Sequence, residues 1–284
     1  MSLFAFFTRH LRARTQPWGP VVAALVAVLG ATPAAAGPFE IAISPSRFEV
    51  SGKSATRVGQ SLDIYNVGPT STEVSVRTID WTYAVDGNIG YHDELLPGSC
   101  RPWVTLERKT VRVAPRSKVA FRFQIDVPAD VPRGECRFML AVEGVEPAQQ
   151  ALIQSGGASL SLPVNGRIAV AVYVALNGAE SKLELTQLGM KEINGKRTPV
   201  VTVTNSGDAH GRLDGSLDAV DAKGQEFELT PESTPIMPGQ TRTLPLLAKS
   251  SEPDQKPPET VLPITSKGSL DGEKGSFKVN AEFK

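Results

Sequence analysis

The sequence predicts an all-β protein, two immunoglobulin-like β-sandwich domains in tandem. Three observations carry this. Apolar and polar residues alternate in short runs divided by turn residues, the mark of half-buried strands. After the first 36 residues, no stretch keeps a 3.6-residue apolar period for three helical turns. Some 248 residues follow that leader, a length that suits two domains of ordinary size.

Residues 1–36 read as a secretory signal. Arg9, Arg12 and Arg14 stand without an acid, the apolar run 21–29 has nine residues, and Ala34-Ala35-Ala36 supplies small residues before a cut expected between Ala36 and Gly37. Nine apolar residues are too few to span a bilayer. The rival reading is an uncleaved amphipathic N-terminus. Cleavage predicts a product outside the cytoplasm. It removes three Arg, leaving 27 basic residues against 30 acidic and a net charge of −3. That argues against a nucleic-acid or polyanion binder, which usually needs a basic face.

The first domain is expected over 37–178. Alternation marks strands at 39–44, 47–50, 60–66, 72–83, 103–107, 111–113, 118–127 and 135–143. Turn signals at Asp86-Gly87, Pro97-Gly98 and Pro115-Arg116-Ser117 divide them. Cys100 and Cys136 both lie in the exported part, and an even pair in an oxidising compartment is most simply a disulfide. Two isolated Cys without a nearby His do not make a zinc site.

The most distinctive segment is 158–174. Every even position there is apolar or Gly: Ala158, Leu160, Leu162, Val164, Gly166, Ile168, Val170, Val172 and Val174. Read as one strand, its 17 residues are about three times the usual length. Such a strand needs more than one neighbour along its course, or it leaves part of its edge unpaired. Proteins normally avoid an open apolar edge, so its retention points to recognition by strand addition.

A boundary is expected at Asn177-Gly178-Ala179-Glu180, with the second sandwich over 179–284. Its strands read as 182–193, 199–205, 212–220, 226–230, 242–248, 260–265 and 276–283, with a Pro-rich loop at 250–258. The halves echo each other. Leu62-Asp63-Ile64-Tyr65-Asn66-Val67-Gly68 matches Val201-Thr202-Val203-Thr204-Asn205-Ser206-Gly207, and each precedes a Pro turn that opens a later strand.

Catalytic signals are missing from the pattern. His92 and His210, the two histidines after the leader, fall in different domains without ligand spacing and read as surface or loop residues. No nucleophile elbow, phosphate loop or dinucleotide fingerprint appears. Asp214, Asp218 and Asp221 lack the Gly and terminal Glu of a calcium loop. Glu73, Asp80, Asp93 and Glu94 carry no signal above a solvated surface. No metal or cofactor is expected, and the chain does not read as an enzyme.

Arg47, in Ile43-Ser44-Pro45-Ser46-Arg47-Phe48-Glu49-Val50, is the candidate anchor. The bland reading is an exposed Arg on an edge strand. The sharper one places its fixed, always charged fork beside the long strand, where it can hold a chain-terminal carboxylate.

Several features together resemble the periplasmic pilus chaperones, the PapD-like superfamily. They are Ser-Arg-Phe-Glu-Val at 46–50, Leu-Asp-Ile-Tyr-Asn at 62–66, Val-Ala-Pro-Arg-Ser-Lys at 113–118, Phe121-Arg122-Phe123 and the strand from Leu160 to Val174. The resemblance implies two immunoglobulin-like domains and a chaperone that caps pilus or fimbria subunits in the periplasm by lending them a strand. It further implies pilin-like partners, an outer-membrane usher, and no nucleotide, cofactor or small-molecule substrate. Self-association through the long edge is a further expectation. The family's strand-one Arg falls at Arg47. Its strand Lys falls at Ala169, and Arg167, on the same strand face, either supplies the second charge or faces solvent. Leu160, Leu162, Val164 and Ile168 match the donated apolar set, with core packing as the alternative. A secreted structural or adhesive immunoglobulin-like protein is the competing function. A β-sandwich hydrolase would need an acid pair in a cleft.

Overall fold

The computed structural model describes residues 39–145, 149–155, 158–164, 166–250 and 256–284, with backbone alone for 149–155 and 158–164. The expected leader at 1–36, and 251–255 of the Pro-rich loop, lie outside the described residues. Strands dominate, and one 3-10 turn, Arg101–Trp103, interrupts them.

Ten of the first twelve strands build one sandwich. β1 (Ile41–Ser44), β3 (Arg57–Asn66), β8 (Ser117–Asp126) and β6 (Val104–Leu106) form a four-stranded sheet in the order β1-β3-β8-β6. Facing it are β2 (Arg47–Gly52), β12 (Arg167–Leu176), β9 (Gly134–Gly144), β4 (Thr72–Tyr83) and β5 (Ile89–His92) in that order, with β7 (Thr110–Val113) paired to the start of β4. The first strand of the sequence thus divides between the two sheets around Pro45-Ser46. Alternate residues face inward: Phe48 and Val50, Leu62 and Ile64, Phe121 and Phe123, Phe138 and Leu140, Val172 and Val174 are all buried in one core. Phe123 meets Phe48 and Phe138 edge-on, with ring centres 5.1 and 6.4 Å apart. Cys100 and Cys136 form a disulfide that ties the loop before the 3-10 turn to β9.

β4 buries residues on both its faces. Val74 and Val76 point into the sandwich core, whereas Ile79, Trp81 and Tyr83 join a second cluster with Met139, Ala141, Tyr173 and Met237. Met237 belongs to the other sandwich, so this outer face of the six-stranded sheet is where the two sandwiches meet.

The expected single strand over 158–174 is two strands. β10 (Gln149–Ser155) and β11 (Ala158–Val164) form an antiparallel sheet of their own, and β12 begins at Arg167. The hairpin of β9 and β12 continues as β10 and β11, but in a shifted register. Four residues, 145–148, part β9 from β10, while two, 165–166, part β11 from β12. Gly166 stands at the break, where any Cβ would lie 2.1 Å from Cγ of Phe39.

The second sandwich runs β13-β14-β17-β16-β15-β18-β19, from β13 (Leu183–Ile193), β14 (Lys196–Asn205), β15 (Asp214–Val220), β16 (Glu226–Pro231), β17 (Thr241–Lys249), β18 (Ile264–Gly272) and β19 (Gly275–Phe283). β17 pairs first with β14 and then with β16, so one strand passes between layers. Leu213, Leu217, Leu229, Ile236, Leu244 and Leu270 fill its core.

The sequence echo has a physical basis. Asn66 Oδ1 accepts the N–H of Gly68 at 3.0 Å, and its Nδ2 donates to Thr70 O and Val113 O. Asn205 does the same with Gly207 N at 3.0 Å and with the carbonyls of Ala209 and Ile236. In each sandwich a buried Asn staples the end of one strand to a later turn, which satisfies backbone groups that the ladder leaves open.

Candidate functional site

The outer face of the six-stranded sheet carries the odd-numbered residues of β2 and β12. Arg47 is the first residue of β2 and lies in parallel register with Ala171. Arg167, at the start of β12, faces Glu143 across the ladder. Both Arg residues are on this face, four residues apart along β12, or about 13 Å. They answer to different carboxylates. Arg47 Nε donates to Glu49 Oε1 at 2.7 Å. Arg167 pairs with Glu143, which also binds Arg77, and Arg77 reaches Asp93 at 2.6 Å. Ala169 lies between them and is partly buried against the second cluster. Ile168 points the other way and packs against the first core. For Leu160, Leu162 and Val164 the backbone register on β10 is defined; their side chains lie outside the described residues.

The strand edges are unequal. β2 covers β12 only from Ala171 to Leu176. Residues 167–170 have β9 on one side and, among the described residues, no strand on the other. β11 likewise has β10 on one side and no described strand on the other. The two open stretches, 158–164 and 167–170, follow one another in sequence but belong to separate sheets. The second ends where β2 begins, at Arg47 opposite Ala171.

Beside Arg47 lies the joint between the sandwiches. His210, expected on the surface, is 5% exposed. Its ring stacks on Tyr173 with centres 3.7 Å apart, and Nδ1 is 2.6 Å from Glu135 Oε2, which also accepts the His210 backbone N–H. Arg212 donates to Ser233 O at 2.8 Å and to Tyr173 Oη at 3.4 Å. Glu49 Oε1 is 3.8 Å from both His210 Nε2 and Arg212 Nε. Glu49, Glu135, Tyr173 and His210 border a cavity of about 200 Å³. Burial pushes the Glu49 carboxyl up, but the Arg47 hydrogen bond and the charges of Arg47, His210 and Arg212 outweigh it and hold the group below the usual carboxylate range. Burial pushes the Tyr173 phenol up to about 12, with the nearby Arg212 charge opposing.

Further contacts fix the joint. Arg242, 4% exposed, donates to Tyr83 Oη at 3.1 Å, Val85 O at 3.2 Å, Thr234 Oγ1 at 2.9 Å and Pro235 O at 2.7 Å. Gln240 Nε2 donates to Tyr83 O at 2.9 Å. Arg133 pairs with Asp208 at 2.5 Å. Asn177, between the sandwiches, accepts from Ser54 N and donates to Val131 O. His210, Arg212, Glu135 and Arg242 were not legible as a site, since each is a lone residue whose partner lies far away in sequence. The available signal was an odd-position pattern on β4 and β12 too apolar for a solvent face.

The weighed acids have structural partners. Asp80 is buried, accepting from Leu96 N and Ser99 Oγ beside Arg101. Asp221 accepts three backbone N–H groups, from Lys223, Gln225 and Val261. Among the described residues, no group of three or more His, Cys, Asp or Glu is placed to hold a metal ion, and no helix is long and apolar enough to cross a membrane.

No family model and no curated protein matches the sequence. Solved structures do resemble it. The YadV chaperone is 13% identical, covering 86% of this chain and 99% of its own, with a TM-score of 0.44. The Pseudomonas aeruginosa CupB2 chaperone is 13% identical, covering 86% and 100%, with a TM-score of 0.42. The Salmonella enterica SafB chaperone structure, in complex with the SafA pilin, gives 15%, 86% and 98%, with a TM-score of 0.41.

Proposed function

We propose that this protein is an exported, periplasmic chaperone that caps pilus- or fimbria-type subunits by lending them a strand. The observation that supports this is the pair of edges at 158–164 and 167–170 that no strand covers among the described residues, the second ending at Arg47. A guest strand laid along these edges, with its C-terminal carboxylate at Arg47, would run parallel to β11 and β12. Main-chain hydrogen bonds would supply binding along its length, and a guanidinium–carboxylate pair would set its register. Leu160, Leu162 and Val164 are the side chains proposed to enter the guest's groove. The two sandwiches, 37–178 and 179–284, act in this reading as a strand-bearing domain and a buttress.

The test is capture. A tagged mature chain is purified from the periplasm and its bound chains are identified by mass. Burying one such side chain contributes about 1.5–3 kcal/mol, so Leu160→Glu with Leu162→Glu should weaken capture by about a hundredfold or more, with the chaperone still folded. Arg47→Ala should weaken capture more than Arg167→Ala, because Arg47 closes the second edge and Arg167 is held by Glu143. Undiminished guest yield in the double Glu variant would sink the strand-lending reading.

A further inference from the structure

Glu49 lies between two sets of donors. Its Oε1 holds Arg47 Nε at 2.7 Å and stands 3.8 Å from Arg212 Nε and from His210 Nε2. Those last two nitrogens are buried and have no protein hydrogen-bond partner. Arg212 is otherwise fixed, with its terminal nitrogens on Ser233 O and Tyr173 Oη, so Nε is its remaining donor toward Glu49. His210 is fixed by the Tyr173 stack and by Glu135. Buried donors are seldom left without an acceptor. A carboxylate that moved about 1 Å closer would satisfy both.

Resting on the reading of Arg47 as a carboxylate anchor, we propose that Glu49 is a resident placeholder. An incoming main-chain carboxylate takes the fork of Arg47, and Glu49 transfers to Arg212 Nε and His210 Nε2, completing the joint. Arg212 always carries its proton at Nε. His210 Nε2 joins as a second donor in the forms of the ring that carry a proton there. No covalent bond changes. Arg212, on the second sandwich, is thereby a positioning residue for capture by the first, and Arg167 is not. Occupancy of Arg47 and completion of the joint become one event.

The transfer is read by NMR of the arginine Nε–H groups in the full mature chain, titrated with N-acetylglycine as a terminal carboxylate and N-acetylglycinamide as its neutral control. N-acetylglycine should shift Arg47 and Arg212 with one saturation curve, and N-acetylglycinamide should shift neither. Arg47→Ala should abolish both shifts. Glu49→Gln, at a half-exposed position, should tighten N-acetylglycine binding about threefold, because a neutral amide competes less for Arg47. A response of Arg47 with Arg212 unmoved overturns the placeholder and leaves the anchor standing. Silence at both residues, in wild type and in Glu49→Gln, overturns the placeholder and the anchor together. Equal shifts with the amide overturn the assignment to a carboxylate.

Discussion

Arg242 offers the sharpest test of how the sandwiches are held together. It is a cation 4% exposed whose acceptors among the described residues are all neutral. Two of its bonds, to Tyr83 Oη and Pro235 O, lie in buried surroundings, and its guanidinium sits 4.7 Å from the Tyr83 ring centre. Arg242→Met keeps most of the stem and removes the head. The abandoned buried acceptors cost about 1–3 kcal/mol each, and the cation–π contact adds about 1–2 kcal/mol. The cost of burying the charge is recovered in the variant, so a net loss of about 3–4 kcal/mol is expected. Equilibrium denaturant unfolding of the mature chain measures it. A double-mutant cycle with Tyr83→Phe should give a coupling of about 1–2 kcal/mol. The single transition should also split into two as the sandwiches come to unfold separately. A loss below about 1 kcal/mol, with coupling near zero, would show that the joint stands without this residue.

Tyr173 predicts an alkaline signature. Its phenol is raised from the ordinary 10.0 to about 12, so its stabilising term is whole below pH 10 and disappears as pH rises through 12. Two pH units correspond to about 3 kcal/mol, and the stability difference between wild type and Tyr173→Phe should shrink by about that much across this window, as followed by unfolding at each pH. Glu49 acts at the other end: its lowered carboxyl favours the fold above the ordinary 4.5 and loses that contribution as pH falls, a trend that Glu49→Gln should flatten. Gly166→Ala should destabilise by about 1–3 kcal/mol in thermal unfolding, because Cγ and Cβ of Phe39 lie 2.1 and 2.4 Å from the place of the new methyl; an unchanged melting temperature would refute that packing. Reducing Cys100–Cys136 opens a loop with a sequence separation of 36, and reductant should lower stability by about 3–4 kcal/mol by the chain-entropy relation.

Strands with one wet face were readable from their residues. β2 alternates exposed and buried at every position, and 72–83 matches β4 end to end. Where pairing rather than alternation makes the strand, the pattern misled. β18 contains Ser266, Gly268, Ser269 and Gly272, a poor strand by composition, yet β15 and β19 flank it on both sides. The expected strand at 260–265 therefore sits too early. β5 and β10 were missed, one for being four residues long and the other for lacking alternation. The continuous period over 158–174 concealed a change of register, since periodicity reports side-chain faces and is blind to an offset in the opposing strand. Arg47 could be chosen from its motif, whereas Glu49, two residues on in the same motif, was given no role. Its meaning depends on His210 and Arg212, more than 150 residues away.

The uncovered stretch at 167–170 and the closed joint are features of one sheet, and each constrains the reading of the other. Sandwich modules that serve only as spacers protect their edges, because an unpaired ladder invites chain-to-chain pairing. Here β2 is set low on β12 and leaves 167–170 bare, although the strand is long enough to be covered. The same sheet spends its outer face, over Tyr83, Glu135 and Tyr173, on holding the second sandwich through contacts that are largely buried. A margin that accepts a guest without a fixed backing would leave the guest's end free to slide by two residues at a time. In the proposed reading, the joint anchored to β2, β4, β9 and β12 would make Arg47 a fixed stop for the guest's end. An adhesive module has no need of such a stop, so lengthening the guest's C-terminus by two residues separates the two functions. Capture by a chaperone should fall sharply with the extension, as measured by co-purification, whereas adhesion through an exposed face should be indifferent to it.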